Sequence, residues 1–391
     1  MSRAPVYLDC HATTPMDPRV LDAMLPYFTE HFGNPASSTH QWGWKAQAGV
    51  EQARRETAAV IGAAAREIVF TSGATESNNL ALSGIARAAD SSRRRIVVSA
   101  VEHKSVLEIA GRLGSVGWDV IVAPVHGDGR IDLDRLAEVV DERTAVVSVM
   151  AANNEIGVLQ PIADVAAIAH RAGALLHTDA AQAVGKVPVD VAAMGIDLLS
   201  LTGHKIHGPK GCGALYVRRG VTLDPLLVGG GHERGLRAGT LNVPGIVGLG
   251  AACALAREHL AADAARIGAL RDRLLAGLEA GPGGVVVNGS MTHRLPNNLH
   301  VSFEAVDGES LLIAISDIAV STGSACSSAS GTPSHVLSAI MGADAVPSAS
   351  VRFGLGRFTT QEDVDYAVER FTAVVRHLRK DSQTFETQAT K

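Results

Sequence analysis

A chain of 391 residues sets a prior of two to three domains at roughly 150 residues each. Its hydrophobic fraction of 46% is ample for a buried core and excludes global disorder, while aromatics at 4% leave most packing to Ala, Val, Leu and Gly. Lys and Arg total 35 against 40 Asp and Glu, and this net charge of −5 argues against a dedicated nucleic-acid or membrane-surface binder, which carries a basic excess.

The N-terminus, Met1-Ser2-Arg3-Ala4-Pro5, has no signal- or transit-peptide character, and no apolar run reaches the ~18 residues of a membrane span, so a cytoplasmic protein is expected. Short apolar strands then alternate with amphipathic helices. Strand-like runs fall at Glu67–Thr71, Arg95–Ser99, Trp118–Val125, Thr144–Met150, Ala174–Asp179, Asp197–Thr202 and Gly213–Arg218. One helix is predicted after Pro161, with Ile162, Val165, Ile168 and Ala169 at helical spacing and Gly173 as its C′ residue. Such alternation predicts an α/β fold: a largely parallel sheet, helices on both faces, and a ligand site at the carboxyl ends of the strands.

From about Asn242 a helical stretch rich in Ala, Leu and Arg runs to Ala280. Strands at Gly284–Asn288 and Leu299–Phe303, a helix near Glu309–Ile315 and a strand at Ser350–Gly354 follow. A last helix opens on a capping box, Thr359 with Glu362, and carries Val364, Val368, Phe371, Val375 and Leu378 on one face. This texture predicts a second, α+β domain: residues 15–257 form the large domain, and 258–391, with 1–14 packed on it, the small one. The polar tail Asp381–Lys391 is expected to fray.

Neither a G-x-x-x-x-G-K-[ST] phosphate loop nor a G-x-G-x-x-G dinucleotide fingerprint is present, so the sheet binds something else. Three strand ends are informative. The first runs into Ser72-Gly73-Ala74-Thr75-Glu76-Ser77, small residues at a helix start that suit an anion nest, while Thr75 taken alone reads first as an N-cap. The run to Asp179 ends in a carboxylate that fits either a protonated ring nitrogen or the cap of the next turn. The run to Thr202 is followed by Gly203-His204-Lys205, where a desolvated lysine can form a Schiff base; an ordinary Gly-rich loop is the alternative. Phosphate nest, carboxylate and amine, in that order on an alternating sheet, are what pyridoxal 5′-phosphate requires.

Further residues bear on the substrate. His103, after the strand at 95–99, reads as a ring-stacking proton shuttle or as a structural histidine, and Arg352 as a grip for an α-carboxylate or an interdomain salt bridge. The four cysteines, Cys10, Cys212, Cys253 and Cys326, are too scattered for a disulfide framework or a zinc site. Cys326 lies within 321–332, a run of small polar residues that describes a mobile, accessible loop carrying a nucleophilic thiol; the other three read as structural.

Several ordered motifs carry a resemblance to a known family: Tyr7-Leu8-Asp9 with Ala12-Thr13-Thr14-Pro15, Phe32-Gly33-Asn34-Pro35, Phe70–Ser77, Asn153-Asn154-Glu155-Ile156-Gly157, His204-Lys205-Ile206, Gly208-Pro209-Lys210-Gly211, Gly229–Thr240, Gly323-Ser324-Ala325-Cys326 and Ser350-Val351-Arg352-Phe353. Over nearly its whole length the chain resembles the cysteine desulfurases, pyridoxal-phosphate enzymes of the class-V aminotransferase fold, and most of all the type that supplies sulfur for iron–sulfur clusters. The resemblance implies fold-type I, with a mostly parallel, mixed seven-stranded sheet and a smaller C-terminal domain. It implies that Lys205 holds the cofactor, Asp179 pairs with the pyridinium nitrogen, Asn154 and Gln182 contact the ring and its phenolic oxygen, and His103 stacks on the ring. Ala74, Thr75, Thr202 and His204 would hold the phosphate, with Thr240 arriving from the neighbouring subunit of a homodimer. Asn34 and Arg352 would hold the carboxylate of L-cysteine, and Cys326 would carry the persulfide to an acceptor such as an iron–sulfur scaffold protein. No resident metal is implied beyond a transient cluster contact at Cys326. A selenocysteine lyase or an aminotransferase with a dispensable Cys326 is the alternative.

The chain departs from the family pattern in four places. Cys10-His11 adds a cysteine, Thr202 stands where serine is common, and Gly331-Thr332 alters the cysteine loop. The short stretch after the last helix puts docking of a scaffold partner in doubt.

Overall fold

The computed structural model describes residues 5–322 and 334–389. Strand β1 (Val6–Tyr7) precedes seven strands of one sheet: β2 (Ile68–Thr71), β3 (Arg95–Ser99), β4 (Asp119–Ala123), β5 (Thr144–Ser148), β6 (Leu175–Asp179), β7 (Leu198–Thr202) and β8 (Gly213–Val217). Their spatial order is β2-β8-β7-β6-β5-β3-β4. β8 runs antiparallel to both its neighbours and the remaining pairs are parallel, which is the mixed, mostly parallel sheet expected. Interior strands β5, β7 and β8 are buried at every residue, as a sheet covered by helices on both faces demands. Edge strand β4 leaves Val122 exposed and stops at Ala123, because Pro124 has no N–H for the ladder. Glu67, expected in a strand, belongs instead to a 3-10 turn, Ala65–Glu67.

The helix after Pro161 spans Ile162–Arg171, and Gly173 follows its cap at φ +70°, a left-handed C′ position that glycine fills without strain. The long helix Val243–Ala280 is capped by Asn242, whose side chain accepts from Gly245 N–H. Val243, Ile246, Leu249 and Cys253 from its first half pack in the core under the large sheet. Ile267, Leu274 and Leu278 from its second half join a separate core, with β10 (Asn298–Phe303), β12 (Ser350–Gly354), Phe371 and the N-terminal Val6 and Leu8. In that small unit β10 lies between β9 (Val285–Val287) and β12, while β1 pairs with β11 (Ile318–Ala319).

The last helix, Gln361–Ala389, corrects one expectation. The reciprocal cap is made by Thr360 and Asp363, each side chain accepting from the other's backbone N–H, while Thr359 Oγ1 accepts from Gly356 N–H. The helix is also continuous to Ala389, through residues whose polarity predicts fraying. Among the described residues, no helix is long and apolar enough to cross a membrane.

Candidate active site

A cavity of about 500 Å³ opens at the carboxyl ends of β2, β6 and β7, within the usual size range of sites for small ligands. After β2 the chain turns through Ser72 and Gly73 into the helix Ala74–Ala88. Gly73 is the N-cap, at φ +151°, a conformation reserved for glycine, and it provides no side-chain cap. Thr75 therefore stands inside the helix rather than capping it, and the first-turn N–H groups beside Ala74 and Thr75 face the cavity as an anion cradle. Thr202 and His204 line the same end. Burial pushes the His204 imidazole down to about 4, with Lys205 and Lys210 adding to the effect, so the ring is neutral at ordinary pH.

Asp179, the last residue of β6, accepts from Asn78 Nδ2 at 2.7 Å and from Ala181 N–H at 3.0 Å. It thus caps the following turn and still lines the cavity, each oxygen keeping a second lone pair. Lys205 lies in a 3-10 turn directly after β7, with Nζ donating to the carbonyls of His11 and Ala12, the latter at 2.8 Å. His103 caps the helix Lys104–Gly114 and reaches the cavity; burial holds its ring below the usual imidazole range, against the pull of Asp179. Gln182 donates to His11 O and accepts from His11 Nδ1 and Lys186 Nζ. Arg352 pairs with Asp9 at 2.8 Å, donates to Asn154 O at 2.9 Å, and lines the cavity.

Among the described residues, three buried polar atoms of the lining have no partner: His11 Nε2, Asn154 Oδ1 and Arg352 Nε. Buried polar groups are normally paired, so their convergence around an uncapped helix N-terminus, a strand-end carboxylate and a lysine fits a polar, anionic ligand of pyridoxal-phosphate type. Two expected residues lie elsewhere. Asn34 and Thr240 are exposed and do not line the cavity of their own chain. Cys326 and residues 323–332 of its loop lie outside the described residues.

The class-V aminotransferase family profile matches residues 6–367. The chain belongs to the class-V aminotransferase family. Within it, the chain is 52% identical over 386 residues, 98% of its length and 96% of the relative's, to the cysteine desulfurase IscS of Anaeromyxobacter sp. (strain K). It is 50% identical over 384 residues to the human cysteine desulfurase, covering 98% of this chain and 84% of that one. Among solved structures, a NifS-like protein superposes with a TM-score of 0.89 at 39% identity, over 96% of this chain and 100% of the other. Class-V enzymes of this type depend on pyridoxal phosphate, so the cofactor read from the three strand ends is the one this chain uses.

Sequence reasoning missed several residues of this class-V site. His11 forms part of the wall, Asn78 and Ser105 connect Asp179 to His103, Lys186 backs Gln182, and Glu76 pairs with Arg237 at 2.9 Å beside the anion cradle. Burial works to raise the Glu76 carboxyl, but hydrogen bonds from Arg237 and Ser72 outweigh it and hold it below its ordinary range. Asn78 was within reach of a pattern argument, since it stands one helical turn after Ala74 and so on the same face. Burial pushes the thiols of Cys10, Cys212 and Cys253 up to about 12, in keeping with their structural reading.

Proposed function

We propose that this chain is a cysteine desulfurase that takes sulfur from L-cysteine, releases L-alanine and carries the sulfur as a persulfide on Cys326. The observation that carries this reading is one cavity gathering a strand-end lysine, a strand-end carboxylate, an uncapped helix N-terminus and a buried arginine, in a chain 52% identical to a relative named for that activity. Pyridoxal phosphate, when bound, supplies an electron sink for charge developing at Cα of an amino acid joined to it. Lys205 would hold the cofactor, and its amine, once displaced by substrate, would remove and return the Cα proton. Asp179 would pair with the pyridinium nitrogen, and Asn154 and Gln182 would contact the ring and its phenolic oxygen. Ala74, Thr75, Thr202 and His204 hold the phosphate, and Arg352 takes the α-carboxylate.

Cys326 provides the acceptor thiolate. A bond forms between its sulfur and that of the substrate while the substrate's Cβ–S bond breaks; the electron pair stays with the three-carbon fragment, which is protonated and leaves as alanine. We read the large domain as 15–257 and the small one as 258–391 with 1–14. The enzyme is a homodimer in which Thr240 of the partner subunit completes each phosphate site. The exposed placement of Thr240 supports this, as do exposed Leu227 and Val228, with Ala238 N–H donating to Leu227 O, and exposed Phe28, Phe32, Trp42 and Trp44. Sulfur passes to an acceptor protein, in the first instance an iron–sulfur scaffold. Three buried free thiols accord with a reducing compartment, for which we take the cytoplasm.

The test is alanine release from L-cysteine under reducing conditions, wild type beside Cys326→Ser. Loss of turnover in the variant is expected. Equal rates would overturn the persulfide step and turn the reading to a lyase.

A further inference from the structure

Asp179 and His103 reach the cavity from different strand ends, and two side chains join them. The buried amide of Asn78 donates one N–H to Asp179 Oδ2 at 2.7 Å and the other to Ser105 Oγ at 2.9 Å. Flipping that amide would set its carbonyl oxygen against a carboxylate, so the orientation is determined. Its Oδ1 is buried and has no partner among the described residues, a cost accepted to keep both N–H groups so aimed. Ser105 donates its backbone N–H to His103 Nδ1 at 3.1 Å, and its hydroxyl lies 2.8 Å from the same nitrogen. A ring nitrogen that accepts a backbone N–H carries no proton. The hydroxyl, already accepting from Asn78, therefore donates to it as well.

We propose that Asn78 and Ser105 are positioning residues that couple Asp179 to His103 and hold His103 as the neutral tautomer with its proton on Nε2. Protonating Nδ1 would set a new N–H against the backbone N–H and the hydroxyl of Ser105. His103 then serves as a fixed N–H donor toward the cavity, and proton removal at Cα falls to Lys205. The surroundings agree in balance: burial, Lys205 and His335 oppose an imidazolium, while Asp179 and Glu108 favour one.

The inference rests on the reading of His103 as the residue above the cofactor ring, so its test includes a measurement independent of turnover. Full-length protein labelled with ¹⁵N at histidine is compared with and without pyridoxal phosphate, the His103 signals being assigned by their loss in His103→Gln. An unprotonated Nδ1 and a protonated Nε2 are expected from pH 6 to 8. Ser105→Ala moves the Nδ1 signal, Ser105→Thr restores it, and Asn78→Ala, which releases the Ser105 hydroxyl and one bond to Asp179, moves it in the same direction. Ser105→Ala also lowers kcat about five-fold, equivalent to ~1 kcal/mol, with KM unchanged. A protonated Nδ1 in wild type at pH 7, or signals and kcat that ignore Ser105→Ala, would overturn the proposal. The expected tautomer in a protein that releases no alanine from cysteine would overturn the functional reading and leave this one standing.

Discussion

Lys186 is a second amine beside Lys205. It is partly accessible as a residue, yet its amine is enclosed and donates to Gln182 Oε1 at 2.9 Å. Burial first, and the charge of Lys205 second, push it down to about 7, with Cys10 pulling the other way. An unfolded lysine keeps its proton to about pH 10.4. Between those values the unfolded chain binds more protons than the folded one, so unfolding free energy rises with pH. The cost of enclosing this amine is felt in full below pH 7 and is relieved as pH climbs toward 10. Lys186→Met removes the titration. Denaturation of the cofactor-free protein at pH 6 to 9 is expected to show wild type gaining on the variant above pH 7. The gain is up to ~1.4 kcal/mol per unit, and less where water reaches the amine. A difference that stays flat with pH would show that the amine is not held near neutrality. The neutral amine still donates to Gln182, so the contact that aims the glutamine survives deprotonation.

Among the described elements, the segment Gly229–Thr240 combines an irregular backbone with a buried tether. Glu233 and Arg234 stand at φ +46° and +58°, a region that side-chain-bearing residues avoid at a cost of roughly 1–2 kcal/mol each. The buried Glu233 carboxylate holds them, accepting from Arg54 at 2.7 and 2.8 Å and from Phe70 N–H at 2.8 Å, while Arg234 donates to Ile68 O. Glu233→Gln leaves Arg54 with the more exposed Glu51, at 3.2 Å, as its remaining carboxylate and is expected to cost about 2–3 kcal/mol in urea denaturation. Adding Arg54→Met should recover part of that loss. If the second substitution instead adds its full penalty, the two residues do not act as a pair. Such tethers also mark how far the sequence was legible. The strands, Asp179 at the end of β6 and Lys205 in the turn after β7 were readable as lining the cavity because a parallel sheet opens its ligand site at its carboxyl ends. The cap of the last helix slipped by one residue because Thr359 and Thr360 both offer a hydroxyl and Glu362 and Asp363 both offer a carboxylate. Ser105 gave no pattern at all, since a serine in the first turn of a helix is ordinary until its neighbours in space are known.

At the scale of the whole molecule, the proposed role of Thr240 makes each complete site the product of two chains. Its backbone is carried outward from three anchors, Glu233, Arg234 and Arg237, and it ends exposed rather than in the cavity of its own chain. Asn34 is likewise exposed, with its side chain turned to Ala36 N–H, so its role too depends on what covers that surface. If Thr240 serves the neighbouring subunit, two defective chains can rescue each other. Lys205→Ala abolishes turnover and Thr240→Ala weakens phosphate binding. In a mixed dimer, the site that keeps Lys205 receives its threonine from the Lys205→Ala chain and is intact, whereas the other site carries both defects. Refolding or co-expressing the two variants under different tags, then isolating the doubly tagged dimer, should give about half the wild-type rate per dimer, with wild-type affinity for the cofactor at the active site. If each chain used its own Thr240, the mixed dimer would contain no intact site, and its rate would not exceed the average of its two parents.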